Sequence, residues 1–138
     1  MSNIIRFNDA SPNSEWLSMS NQGTDCFLEL LIHAADTMSC TQSQKALIDF
    51  LKGQKVINEL APGTAGFDVE EMPWNAHSLS EDVRFLLRVI KAAKSLPVQN
   101  ELSYIPNKNI VIPWLGQFME MIKQKRSADC KLRKGETE

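Results

Sequence analysis

The sequence has few cysteines and no long apolar run, and each shortage excludes a class of protein. The three cysteines, Cys26, Cys40 and Cys130, cannot all pair within one chain and form no Cys-x-x-Cys unit. We therefore expect free thiols, and neither a disulfide framework nor a cysteine-built zinc site. No apolar run approaches the roughly 18 residues of a membrane helix, and the N-terminal residues lack the apolar segment of a signal peptide. These absences predict a cytoplasmic protein without a membrane partner.

Patterns of catalytic and cofactor-binding residues are also missing. A nucleophilic triad needs a histidine beside a serine or cysteine and a carboxylate, and the chain has only two histidines. His33 falls inside an apolar helical stripe, where we expect it to be partly buried, and His77 precedes a helix start, where we expect it to be exposed. The turn at 63–66 lacks the Lys-Ser/Thr pair of a phosphate-binding loop. We predict no enzyme activity, no metal and no cofactor.

Composition and charge indicate one globular domain over residues 1–138. The hydrophobic share of 43% and the charged share of 23% are typical of folded domains. The net charge of −2 is unevenly distributed: residues 1–122 contain 9 Lys/Arg and 14 Asp/Glu, whereas residues 123–138 contain 6 and 3. Basic residues favour the negative end of a helix. We therefore interpret residues 127–138 as a flexible basic tail after a helix, and not as a site for nucleic acid.

Apolar periodicity predicts an all-α fold, a compact bundle of four main helices plus a short N-terminal helix, with minor β structure at most. Ser11-Pro12 is typical of a helix start and predicts the short helix, which would end near Ser20. Residues 1–10 are compatible with a short strand or an ordered arm. The four main helices are predicted to begin at Thr24, Thr41, Ser78 and Pro113.

For the second and the last of these helices, the sequence also predicts which residues face inward or where the helix ends. The helix that follows Thr41 is predicted to turn Ile57 and Leu60 inward, along with Leu47, Phe50 and Leu51. The last helix is predicted to start at Pro113, to follow an extended segment at 109–112, and to fray after Arg126. Proline suits the first position of a helix because its missing N–H has no partner there.

The most informative segment runs from Glu59 to Asp82 and contains no lysine or arginine. Its acids are Glu59, Asp68, Glu70, Glu71, Glu81 and Asp82. Glu81 and Asp82 suit the first turn of a helix, where carboxylates stabilise the positive end of the dipole, and Glu59 fits an ordinary solvated position. The other acids alternate with apolar and aromatic side chains in a loop.

Two interpretations of this loop stay open. In the first, the apolar side chains Phe67, Val69, Met72 and Trp74 tuck into the core and the acids face water. In the second, acids and an aromatic anchor form a docking surface for a basic protein, since charge accelerates encounter and a buried aromatic supplies affinity. The predicted partner-binding residues are Asp68, Glu70, Glu71, Trp74, Glu81 and Asp82.

The segment from Gly66 to Trp74, GFDVEEMPW, with the helix segment FLLRVIKAA, resembles the central part of certain immunity proteins of contact-dependent growth inhibition systems. The resemblance implies a helical protein that binds the toxic C-terminal domain of a large adhesin. It further implies a basic RNA-cleaving nuclease, of the endonuclease U type, as the toxin. The implied contacts rest on Asp68, Glu70, Glu71 and Trp74. The net charge of −2 departs from the strongly acidic character of many nuclease inhibitors.

The predicted function is therefore neutralisation of a toxin by binding and occluding its active site, without turnover. The alternative is a helical adaptor or regulatory protein that also acts by protein–protein interaction and not by catalysis.

Overall fold

The fold consists of three short strands and four helices within the residues that the structure describes. The computed structural model describes residues 2–7, 15–95 and 108–136, with the side chains of residues 3–6, 17–95 and 111–125. In chain order the elements are β1 (Ser2–Phe7), β2 (Glu15–Ser20), α1 (Asn21–Asp36), α2 (Gln42–Leu60), β3 (Gly66–Asp68), a 3-10 helix (Val69–Glu71), α3 (Leu79–Ser95) and α4 (Lys108–Glu136). The chain is mostly helical, as predicted, but its three-stranded sheet fits the predicted minor β structure only loosely.

The sheet has the strand order β2-β1-β3, with β1 antiparallel to β2 and parallel to β3. Ile5, in the middle of β1, lies opposite Leu17 of β2 and Phe67 of β3. All three side chains point to the same face of the sheet, and all three are buried. Gly66 begins β3 with a φ of +139°, and a side chain there would collide with the carbonyl oxygen of Ile4. The absence of a side chain therefore lets β3 approach β1.

The predicted N-terminal helix, Ser11–Ser20, is wrong over its described part, because Glu15–Ser20 forms β2. Residues 11–14 lie outside the described residues. In β2, Leu17 and Met19 are buried and the serines that follow them are exposed, which is the two-residue alternation of a strand. The neighbouring strand β1 supplies its backbone hydrogen bonds. The strand within residues 1–10, which the sequence left open, is observed as β1.

The N-cap of helix α1 lies four residues earlier than predicted. The hydroxyl oxygen of Ser20 accepts a hydrogen bond from the backbone N–H of Gly23 at 3.0 Å, so Ser20 caps the helix. Thr24, the predicted cap, lies inside the helix and donates its hydroxyl hydrogen to the carbonyl of Ser20 at 2.7 Å. The predicted apolar stripe of α1 is confirmed, and α1 contacts each of the other three helices.

Helices α2 and α3 lie where the sequence predicts them. A capping box precedes α2: Thr41 Oγ1 accepts from the backbone N–H of Gln44 at 3.3 Å, and Gln44 Oε1 accepts from that of Thr41 at 3.0 Å. In α3 one apolar face is buried, and Arg84, Arg88, Lys91 and Lys94 are exposed. The buried residues of that face include Val83, Leu86, Val89, Ile90 and Ala93.

Helix α4 starts before Pro113, so the predicted extended segment at 109–112 is wrong. Val111 is buried and extends the inward stripe of the helix toward its N-terminus by one turn, since the spacing from Val111 to Leu115 is four residues. Pro113 lies inside the helix, where it forfeits one backbone hydrogen bond. The backbone stays helical to Glu136, beyond the predicted fraying point. The flexibility of residues 127–138 stays a prediction.

Four phenylalanine rings connect the helices to the sheet. The ring centroids of Phe27 and Phe118 lie 5.5 Å apart, those of Phe118 and Phe67 6.2 Å, and those of Phe67 and Phe50 5.1 Å, all edge to face. The rings belong to α1, α4, β3 and α2 in that order. Phe67 thus packs in the core between α2 and α4, and it fixes the position of the loop that follows it.

Candidate partner-binding surface

The loop from Phe67 to Trp74 is anchored to the core by its apolar side chains. Phe67, Val69 and Met72 are buried. Trp74 is half-buried, and its indole Nε1–H donates a hydrogen bond to the carbonyl oxygen of Val69 at 2.8 Å. The first interpretation of the loop is therefore confirmed for these four side chains. Trp74 serves in part to close the loop.

Asp68 is a structural member of the loop in this geometry. Its side chain is almost fully buried, and its Oδ1 accepts a hydrogen bond from the backbone N–H of Glu70 at 2.9 Å, which caps the 3-10 helix. Its Oδ2 lies 4.0 Å from Arg6 Nε on β1. The carboxylate therefore ties the loop to the sheet, and little of it faces outward for a partner.

Asp82 also turns inward, at a different place in the fold. It is fully buried and its Oδ1 accepts a hydrogen bond from Ser43 Oγ on α2 at 3.0 Å. Ser78 Oγ lies 3.4 Å from both carboxylate oxygens. Buried polar groups are stabilised by such partners, so Asp82 joins the start of α3 to the start of α2. Its neighbour Glu81 is exposed.

The two acids that the loop presents to solvent are Glu70 and Glu71, which we call the acidic turn. Both belong to the 3-10 helix and both are exposed. Glu71 also lines a cleft of about 250 Å³ between β1 and the turn at 63–67. Arg6 lines the same cleft. The predicted set thus divides into inward and outward members, and only Glu70, Glu71 and Glu81 offer exposed charge.

A further exposed feature was not predicted. The sequence placed Ile57 and Leu60 inside, but Val56, Ile57 and Leu60 are 51%, 40% and 81% exposed. With Gly53, which precedes them at helical spacing, they form one stripe on the outer side of α2. We call these four residues the α2 ridge.

A buried amide network explains why the α2 ridge faces outward. Asn58 lies inside, where its Oδ1 accepts from Asn3 Nδ2 at 2.9 Å and its Nδ2 donates to the carbonyl oxygen of Asn21 at 2.9 Å. Asn3 Nδ2 also lies 2.8 Å from Thr24 Oγ1. Because Asn58 turns inward, Ile57 and its helical neighbours turn away. Spacing alone cannot reveal this, since an apolar stripe predicts the opposite orientation.

Glu59, the first acid of the base-free segment, is paired with a lysine from the preceding turn. Lys55 Nζ lies 2.8 Å from Glu59 Oε1, 3.3 Å from Asp25 Oδ1 and 3.5 Å from Glu29 Oε2. The hydrogen bond with Glu59 and the charge of the other two carboxylates raise the pKa of Lys55, against a smaller opposing effect of burial. This cluster joins α1 to α2.

The side chains considered for nucleophilic chemistry are His33, His77 and Cys26. His77 is exposed as predicted, but His33 is exposed as well, so its predicted partial burial is wrong. Cys26 is buried, and burial, followed by the charges of Asp25 and Glu29, raises the pKa of its thiol to about 11. Within the described residues, no three His, Cys, Asp or Glu side chains lie close enough together to hold a metal ion.

Comparisons of the chain with models of known families, with curated proteins and with solved structures found no match. The resemblance to immunity proteins therefore stays a prediction. Of the helices in the described part of the chain, none has both the length and the apolar composition that crossing a membrane requires.

Proposed function

We propose that the protein binds and neutralises a basic toxin domain, as an immunity protein of a contact-dependent growth inhibition system does. The observation that supports this proposal best is the acidic turn, where Glu70 and Glu71 stand exposed on a short helix fixed to the core. The toxin would be a nuclease, because a site that binds phosphates is complementary to carboxylates.

The acidic turn is held rigidly before any partner arrives. Asp68 caps the 3-10 helix, Val69 is buried, and Trp74 donates its indole hydrogen to the carbonyl of Val69. A preorganised surface loses less conformational entropy on binding than a mobile loop. The carboxylates of Glu70 and Glu71 can therefore steer and orient a basic surface at low entropic cost.

The cleft beside the acidic turn offers a place for a basic side chain of the partner. Glu71 lines it, and its volume of about 250 Å³ suffices for a single long side chain. The other charged lining residue, Arg6, lies 4.0 Å from Asp68, so its positive charge is partly offset. Neutralisation by this surface is steric and electrostatic, and it needs no chemical step on this chain.

Co-expression with the polypeptide encoded immediately upstream tests the proposal. We expect a stable complex and rescue of growth. The variant Glu70→Lys with Glu71→Lys should weaken both, whereas Asp36→Lys with Glu120→Lys, which changes the net charge equally at exposed positions elsewhere, should weaken neither. The absence of a complex and of rescue by the unaltered protein would contradict the proposal. A complex with a protein that is not toxic would favour the adaptor alternative.

A further inference from the structure

The α2 ridge has no partner within the described fold that explains its composition. Its three large side chains are exposed to 40% or more, and exposed apolar side chains that adjoin on one face can form an interaction surface. The residues at 53, 56, 57 and 60 share one face because they are three and four positions apart. The C-terminal half of α2 therefore has an apolar face on its solvent side in addition to the face that it buries in the core.

Gly53 leaves a gap in the surface of the α2 ridge. A methyl group built on Gly53 would meet no atom within 4 Å, so the surrounding fold does not demand a glycine. Glycine inside a helix is also less favourable than alanine. What the missing side chain provides is a hole on the helix surface, and a protruding side chain of another helix packs into such a hole.

The α2 ridge is complementary to itself. In an antiparallel pairing of two α2 helices about a two-fold axis between Val56 and Ile57, Leu60 of each copy lies over Gly53 of the other. Val56 then lies beside Val56 of the other copy, and Ile57 beside Ile57, because a two-fold axis brings the same flank of both helices together. Leu60, which is 81% exposed, thus meets the one position of the ridge with open space for it.

The charges beside the α2 ridge fit the same pairing. At 3.6 residues per turn, Lys52 and Glu59 lie on the same flank of the ridge, nearly two turns apart. Antiparallel pairing brings equal flanks together, so Lys52 of each copy comes within reach of Glu59 of the other. The carboxylate of Glu59 also holds Lys55 at 2.8 Å, and its two oxygens can accept from both lysines.

From this complementarity of shape and charge, we propose that a second copy of the chain docks on the α2 ridge, antiparallel and about a two-fold axis. The ridge is smaller than a standard interface of about 800 Å² per partner, so the dimer is weak and reversible, with a dissociation constant of micromolar order. No residue of the acidic turn takes part. Dimerisation and toxin binding therefore use different surfaces, and an experiment can contradict one of them without contradicting the other.

Sedimentation velocity of the full chain over a concentration series tests this dimer. We expect Leu60→Glu and Gly53→Leu each to weaken association at least about tenfold, with unchanged far-ultraviolet circular dichroism because both positions face open solvent. The control Ile112→Glu, at an exposed apolar residue of α4, should leave association unchanged. A ridge that binds a different protein would leave the chain monomeric up to about 0.5 mM, and that result would overturn the proposal. Association that survives both ridge variants would also overturn it.

A charge exchange tests the register of the two helices. Lys52→Glu and Glu59→Lys should each weaken the dimer, and the double variant should restore association to within about threefold of the unaltered chain. A double variant as weak as the sum of the single changes would overturn the antiparallel pairing.

Discussion

Replacing Phe67 by alanine should destabilise the protein severely, because this ring packs in the core and is not a partner-binding residue. The ring packs edge to face against Phe50 and Phe118 and is buried. Loss of a buried phenylalanine costs about 4 kcal/mol through lost burial and the cavity that remains. A domain has about 5–15 kcal/mol of stability in total, so the variant should be only marginally folded.

Urea unfolding followed by circular dichroism measures this effect. With a dependence of about 2 kcal/mol per molar urea, the midpoint should fall by about 2 M in Phe67→Ala. Phe67→Leu, which keeps most of the volume, should recover more than half of the loss. Glu71→Ala, on the same loop but exposed, should leave the midpoint nearly unchanged. A loss below about 1 kcal/mol in Phe67→Ala would refute the role of this ring in the core.

Two further predictions concern the titratable groups of α1 and α2. Lys55→Met should cost at most about 1 kcal/mol at neutral pH, less at high salt. Because the folded pKa of Lys55 is raised, its contribution is complete below its unfolded pKa, near 10.4, and declines as the pH rises from there through the folded pKa. Thermal unfolding from pH 8 to 11 should show the start of this decline in the parent protein and not in the variant. In a Cys130→Ser background at pH 8, a thiol reagent should label the exposed Cys40 quickly. Cys26, whose pKa is about 11, should be labelled only after unfolding. Equal labelling rates would contradict the burial of Cys26.

The sequence predicts the elements whose periodicity agrees with their burial. α3 is recovered because its apolar and basic residues lie on opposite faces, and the start of α2 because Thr41 and Gln44 form a purely local capping box. The strand Glu15–Ser20 was missed because the Ser-Pro pair before it is a strong helix signal. Its alternation extends over only a few residues. Pairing with β1 makes this segment a strand and not a helix, and such pairing is not a local property of the sequence.

The start of α4 was misplaced for a related reason. Pro113 is favourable at the first turn of a helix, and this local preference predicts a helix start there. The structure instead tolerates one lost hydrogen bond, because Val111 and the residues after it share a buried stripe. Burial of one more apolar residue outweighs the local preference of a single proline.

The candidate surface was only partly predictable. That Glu70 and Glu71 face solvent follows from their charge, but the inward roles of Asp68 and Asp82 depend on Arg6 and Ser43, which are far away in the chain. No spacing rule brings these residues together. The exposure of the α2 ridge likewise follows from tertiary contacts, since it depends on the buried network around Asn58.

The rate at which the toxin domain associates with this protein tests the proposed function most directly. We expect the association rate constant of the unaltered protein to fall steeply as salt is added, because steering by exposed charge is screened. Glu70→Lys with Glu71→Lys should reduce that rate at least about tenfold at low salt, with an unchanged urea midpoint, and the difference should shrink at high salt. Equal rates for both proteins, at every salt concentration, would contradict a partner-binding role for the acidic turn.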